Sequence, residues 1–276
     1  NGYIHSGLSN ETQHTYRVRA HKESTEGEWS APITKTTRNI IAGKITEDTV
    51  WRAEDGPYYI KENITIEENA KLQIMPGTQI IFYPGVTIYA KGAIDAAGTG
   101  DSRIVLTSLR DDDFGGNGII RCSDPWNIQI APQGEFKGEY LDIRYGNINA
   151  EGPVLLEESA VSGQITICGE ANIFNNSIDS YECRDEYEFE YDDEYEDIYH
   201  FEGGELVISN MAGDVSVKNN SVYRIYIEQF GYGDLSVENN IIGEGSIDIN
   251  LNGLSHSIFD KFTGNIMPDT IVLSAQ

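Results

Sequence analysis

Positive charge is what this 276-residue chain most lacks: 19 Lys and Arg stand against 45 Asp and Glu, a formal net charge of −26. A surface of that sign repels phosphate backbones and anionic lipid, which excludes nucleic acid and anionic membranes as main partners. It suits cations, Ca²⁺ above all, or simply solubility. Long apolar runs are missing too. No stretch of 18 apolar residues occurs, so no membrane insertion is expected. No signal peptide is visible, and the chain reads as beginning in mid-domain. Cysteine is scarce: Cys122, Cys168 and Cys183 stand alone, with no CxxC spacing for a metal or redox pair. A Cys168–Cys183 bridge and buried free thiols fit equally well, so the cysteines leave the compartment open. The five histidines are scattered, with no Ser/His or Cys/His constellation, and nucleophilic catalysis has no support.

What the chain does have is internal repetition. Ile64 and Ile66 reappear 22 residues later as Val86 and Ile88, and Leu72 and Ile74 reappear as Ile94 and Ala96. Each pair is apolar–x–apolar, the period of a strand with one buried face. A fixed offset near twenty means that one coil of chain lies on the next, which predicts roughly eight to ten coils of a solenoid. Later, the segment from Gly213 to Val222 aligns with the segment from Gly233 to Ile242, and Asn176, Asn220, Asn240 and Asn265 fall in equivalent places. Asparagine tolerates left-handed turns, and stacked amides hydrogen-bond along the axis, so this row is predicted to be structural. Asp214 and Asp234 also align. Two close carboxylates are what a glycoside hydrolase needs, but both follow glycine at the mouth of a strand, where aspartate caps a turn.

Two stretches break the repeat. Arg110-Asp-Asp-Asp-Phe-Gly-Gly-Asn-Gly118 places Asp111, Asp112 and Asp113 before glycines, oxygen ligands of the kind Ca²⁺ takes, without the spacing of an EF-hand. The second stretch, residues 180–204, interleaves acids with aromatics. Tyr187, Phe189, Tyr191, Tyr195, Tyr199 and Phe201 fall on odd positions, and acids fill most even ones. Period 2 argues for strand, although the four tyrosines also fit a helical stripe. One reading is a hairpin packed on the solenoid flank. The other is a binding lobe, with Asp192, Asp193 and Glu194 for metal and Tyr187, Tyr191, Tyr195 and Tyr199 for a stacked glycan.

Residues 7–37 carry a different signature. The Gly7-Leu8 loop, the Tyr16-x-Val18-x-Ala20 strand and the Glu28-Trp29-Ser30-x-Pro32 entry to a final strand resemble the last third of a fibronectin type III domain. His14 stands where that family places its corner tyrosine, and it reads as structural. Thr49-x-Trp51, Asn63-Ile-Thr-Ile66, Pro76-Gly77-Thr78, Gly92-x-Ile94-x-Ala96-x-Gly98-Thr99 and Ile104-x-Leu106-Thr107-Ser108 resemble the N-terminal coils of right-handed parallel β-helix modules. Those modules occur in secreted and surface proteins, where these coils are scaffold. The resemblances imply an all-β chain: residues 1–38 as the C-terminal part of a fibronectin type III β-sandwich, and 39–276 as a right-handed parallel β-helix. Residues 39–60 would be its cap, with 39–45 a connector and Trp51, Tyr58 and Tyr59 as cover. Two or three strands cannot bury a sandwich core, so the segment must dock on the solenoid, borrow strands from another molecule or mark a cut in a longer chain; a cut with the remnant docked on the solenoid is the favoured expectation.

Many β-helix proteins are pectate lyases or polygalacturonases, but neither family's residue series is present. Arg121, Arg144, Lys218 and Arg224 read as lone bases without partners. No catalytic residue is assigned. The expected function is a non-catalytic extracellular or cell-surface adhesion or scaffold module that binds Ca²⁺ and glycan. Its partners would be a polysaccharide, a cell-surface protein or neighbouring domains of a longer chain. The alternatives are a polysaccharide lyase or hydrolase on acidic glycans, and a fibre subunit assembled by strand exchange with copies of itself.

Overall fold

In the computed structural model, the residues described are 12–22, 25–36, 39–186, 197–210, 214–230, 234–243, 247–252, 262–265 and 271–275. The chain is all-β, and from residue 39 onward it winds as a solenoid of parallel sheets. Each coil contributes to three faces. One face is a separate nine-stranded sheet, running from Thr49–Trp51 to Phe262–Thr263. The other two share a single 18-stranded sheet, because Asn39–Ile45 and Tyr58–Ile66 run straight through the corner between them. Beyond those coils the corner becomes a turn, as between Leu141–Arg144 and Gly146–Ala150.

Strict alternation explains the core. On Leu141–Arg144, Gly146–Ala150 and Val154–Glu157 every second side chain is buried, and Ile143, Ile148 and Leu156 are wholly enclosed. Each such isoleucine or leucine contributes about 2–3 kcal/mol of burial. The stack of inward residues runs unbroken from Ile45 to Ile242 among the described residues. Trp126 stacks on Phe82 with ring centroids 4.1 Å apart, and its Nε1 donates to the Arg144 carbonyl at 2.9 Å. The facing residue on the next coil is Gly146, where a Cβ would lie 2.2 Å from the indole.

Three expectations are corrected here. Residues 39–45 are not a connector. They form the first rung, parallel to Tyr58–Ile66, and Thr49–Trp51 pairs with Lys71–Ile74. The solenoid therefore begins a coil earlier, with Trp51 stacked on Tyr58 at 4.9 Å inside it. Secondly, Leu72 does face Ile94, but Ile64 faces Ile88 and Ile66 faces Ala90, two residues on from the expected partners. The turn after the strand spans 67–70 in one coil and 91–92 in the next. A slip of two keeps every side chain on its own face, so the apolar pattern cannot reveal it.

The third correction concerns the N-terminal residues. Gln13–Tyr16 pairs antiparallel with Ile33–Thr36, and His21–Lys22 with Thr25–Glu26. The strand expected through Ala20 stops at Tyr16, although Val18 still exchanges hydrogen bonds with Ser30. Val18, Trp29 and Ile33 are 71%, 54% and 60% exposed. These residues are not buried by docking onto the solenoid. The Arg19 guanidinium lies over the Trp29 ring at 4.4 Å instead.

Candidate functional site: a disulfide-bridged groove at one corner

The asparagine row occupies the corner that leads out of the nine-stranded sheet. Asn220 shows its chemistry. Its Oδ1 accepts from the Asn176 amide and Nδ2 at 2.9 and 3.0 Å, while its Nδ2 donates to Asn240 Oδ1 and the Ile173 carbonyl. Asn240 repeats the pattern towards Asn265. The preceding residues, Asn175, Asn219 and Asn239, take the left-handed conformation, with φ near 55–57°. One asparagine turns the chain and the next closes the ladder. Ser159 extends the row by a coil, since its amide donates to Asn176 Oδ1 at 2.9 Å. Asp214 also bonds coil to coil: its Oδ1 accepts from the Asp234 amide at 2.9 Å.

The corner between the first two faces is built differently, and both interruptions of the repeat emerge there. Residues 109–125 leave after Ile104–Ser108. Charged side chains pin that loop. Asp111, almost fully buried, accepts from Thr107 Oγ1 at 2.5 Å and from the Asp113 amide. Arg144 donates to Asp113 at 2.7 Å and to Asp142 at 3.0 Å, and lies 3.6 Å from Asp111. Its guanidinium also sits over Phe114. Arg110 pairs with Asp124 at 2.9 Å. The Asp142 carboxylate, with Asp113 beside it, holds Arg144 charged above its already high ordinary value. Burial raises the Tyr145 phenol above its usual range, and the Asp111 carboxylate pushes it the same way.

The second interruption is an antiparallel pair. Ser177–Glu186 stays in the sheet through Asp179, then turns outward and pairs with Asp197–Gly203, from Ser180 opposite Gly203 to Glu186 opposite Asp197. Strand, not helix, is thus the structure of the described part of the insertion. Tyr181 is buried with its ring edge on Tyr145 at 5.4 Å. Cys183 is bonded to Cys122 in the other insertion. This overturns both readings left open, a Cys168–Cys183 bridge and three buried free thiols: Cys168 is an exposed free thiol on a different corner.

Between the two insertions lies a groove of about 520 Å³. Cys122 and Pro125 line one side, and Ser180, Tyr181 and Gly203 the other. Its floor is a row of polar side chains from successive coils, spaced by the ~4.8 Å of neighbouring strands. Asn147 accepts from the Gln164 amide at 3.1 Å, and Gln164 Nε2 donates to Glu205 at 3.2 Å. Arg224 then pairs with Glu205 at 2.8 Å. The floor therefore offers amide and hydrogen-bonding groups whose charges are already balanced.

The sequence-predicted site residues distribute unevenly. Asp111 and Asp113 are brought together, but the cation they face is the Arg144 guanidinium; Asp112 is exposed. Tyr199 lies on the return strand opposite Arg184. Tyr187, Tyr191, Tyr195, Asp192, Asp193 and Glu194 lie outside the described residues. Among the described residues no group of three or more His, Cys, Asp or Glu is arranged to hold a metal ion. The supposed lone bases are not alone: Arg144 serves three aspartates, Lys218 pairs with Glu238 at 3.0 Å, and Arg224 with Glu205. Sequence reading missed the groove altogether, and the only signal for it was that both interruptions contain a cysteine.

No family model and no solved structure matches the chain. Protein bark beetle of Drosophila melanogaster is 38% identical over 69 residues, which is 25% of this chain and 2% of that protein. The chain thus spans a small fraction of that relative's length.

Proposed function

We propose that this chain is a non-catalytic module of an extracellular or cell-surface protein, an adhesion or scaffold unit that binds a glycan in the groove between its two insertions. The observation that carries the reading is the groove floor. Asn147, Gln164, Glu205 and Arg224 present amides and a neutralised ion pair beside Tyr181 and Tyr223. Hydroxyl-rich ligands are recognised by such groups, with aromatic and apolar walls supplying contact area. Glu205, the carboxylate that lines the groove among the described residues, is held by Arg224 and Gln164, which leaves it poorly suited to general acid–base work.

The disulfide favours an oxidising compartment. The sequence resemblances favour a right-handed β-helix over residues 39–276, preceded in residues 1–38 by the C-terminal part of a fibronectin type III domain. Ca²⁺ enters as the counter-ion of the acidic insertion around Asp192, Asp193 and Glu194. A glycan array with the intact chain, run with and without millimolar Ca²⁺, tests the proposal. Binding that is lost in Gln164→Ala supports it. Binding to no glycan in either condition, or release of cleaved product from any bound glycan, contradicts it.

A further inference from the structure

The two insertions are held in place by unlike means. Loop 109–125 is fixed to the solenoid by Thr107, Arg144 and the Arg110–Asp124 pair, all independent of any disulfide. The hairpin stem has a covalent tie besides its non-covalent ones. After Asp179 its strands pair with each other. Its described ties to the scaffold beyond that point include the Tyr181–Tyr145 edge contact and the bond from Cys183 to Cys122. At its exit stand Gly203 and Gly204, both at positive φ, 83° and 72°. Two consecutive residues in that region are a place where the chain can change direction at low cost. Gly203 lines the groove, and so does Cys122, which is half-buried, whereas Cys183 is enclosed.

We propose that the Cys122–Cys183 bond is a redox latch that closes the hairpin stem over the groove, and that a dithiol reductant opens it. A thiolate of the dithiol attacks Sγ of Cys122, the half-buried cysteine that lines the groove. The Cys122–Cys183 bond breaks, and Cys183 leaves as a thiolate that takes up a proton. The second thiol of the reductant then attacks the mixed disulfide. It releases Cys122 as a thiol and leaves the reductant as a cyclic disulfide. Two electrons pass from the dithiol to the protein, and the hairpin turns on Gly203 and Gly204 while the loop stays where Arg144 holds it. As regulation of glycan binding this rests on the function proposed above; as a movement of the hairpin it does not.

The test is amide hydrogen exchange on the intact chain before and after treatment with a dithiol, with mass spectrometry of alkylated protein to count thiols. One adduct, on Cys168, is expected before reduction and three after. Protection of the amides of 180–186 and 197–204 is expected to fall at least tenfold on reduction, with 104–108 and 146–150 unchanged. A Cys122→Ser/Cys183→Ser chain is expected to exchange like the reduced protein. Unchanged protection of the stem in a fully reduced chain overturns the proposal. So does loss of protection across the whole solenoid, or a bond that resists the dithiol under native conditions. No glycan is used, so a failed glycan array leaves this result intact, and a rigid hairpin leaves the array result intact.

Discussion

Two corners of the same solenoid show opposite uses of a repeat. At the corner after the nine-stranded sheet, one residue type recurs coil after coil, and Asn176, Asn220, Asn240 and Asn265 satisfy one another in a closed ladder. At the corner between the other two faces, coils differ. Tyr145 turns one, Gly163 the next, and whole insertions replace the turn in two others. The first corner holds the stack together. The second is where side chains distant in sequence meet: residue 111 with 144, 122 with 183, 145 with 181. A stacked scaffold can vary one corner freely because the neighbouring coils are still registered by the others.

The largest expected effect breaks the regular corner. Asn220→Ala strands the Asn176 amide and Nδ2 and the Ile173 carbonyl inside the protein. Each orphaned buried group costs about 1–3 kcal/mol, so a loss on the order of 5 kcal/mol is expected in denaturant unfolding. A loss under 1 kcal/mol would mean that the ladder is not what registers these coils. At the variable corner, the pair Cys122→Ser/Cys183→Ser should cost about 4 kcal/mol from the chain entropy of so long a closed loop. The cooperative transition should survive, because the coils do not depend on that bond.

Arg144→Ala removes the cation from three aspartates, one of them buried. With Asp113 largely exposed, screening limits the cost to about 2 kcal/mol, read as a lower melting temperature and faster proteolysis within 109–125. The smallest effect is on pH dependence. Tyr145 titrates higher in the fold than in the unfolded chain. Its contribution is therefore complete below about pH 10, the ordinary phenol value, and is lost as pH rises through the folded value. Tyr145→Phe should flatten the alkaline limb of the stability curve. An unchanged limb would assign that limb to other groups.

The contrast also explains what could be read in advance. Alternation and recurrence are local, so the solenoid, its core residues and the asparagine row were legible from Ile143, Ile148 and Asn220 and their counterparts. The register of Ile64 was not, because a shift of two residues preserves which face each side chain occupies. The groove was not legible at all. It exists because loops of unrelated composition start from the same corner, a fact set by coil geometry and not by any motif. Cysteine order could not pair Cys122 with Cys183 across 61 residues, and Arg144 gave no hint of Asp111 and Asp113, which lie a full coil away.

The central claim, that the two insertions are joined to each other beside one groove, is tested most directly by a peptide map of the intact chain digested without reduction after its free thiols are alkylated. The account predicts one linked peptide joining Cys122 to Cys183 and a single alkylated residue, Cys168. A Cys168–Cys183 linkage, or three alkylated cysteines in protein kept from reductant, would contradict it.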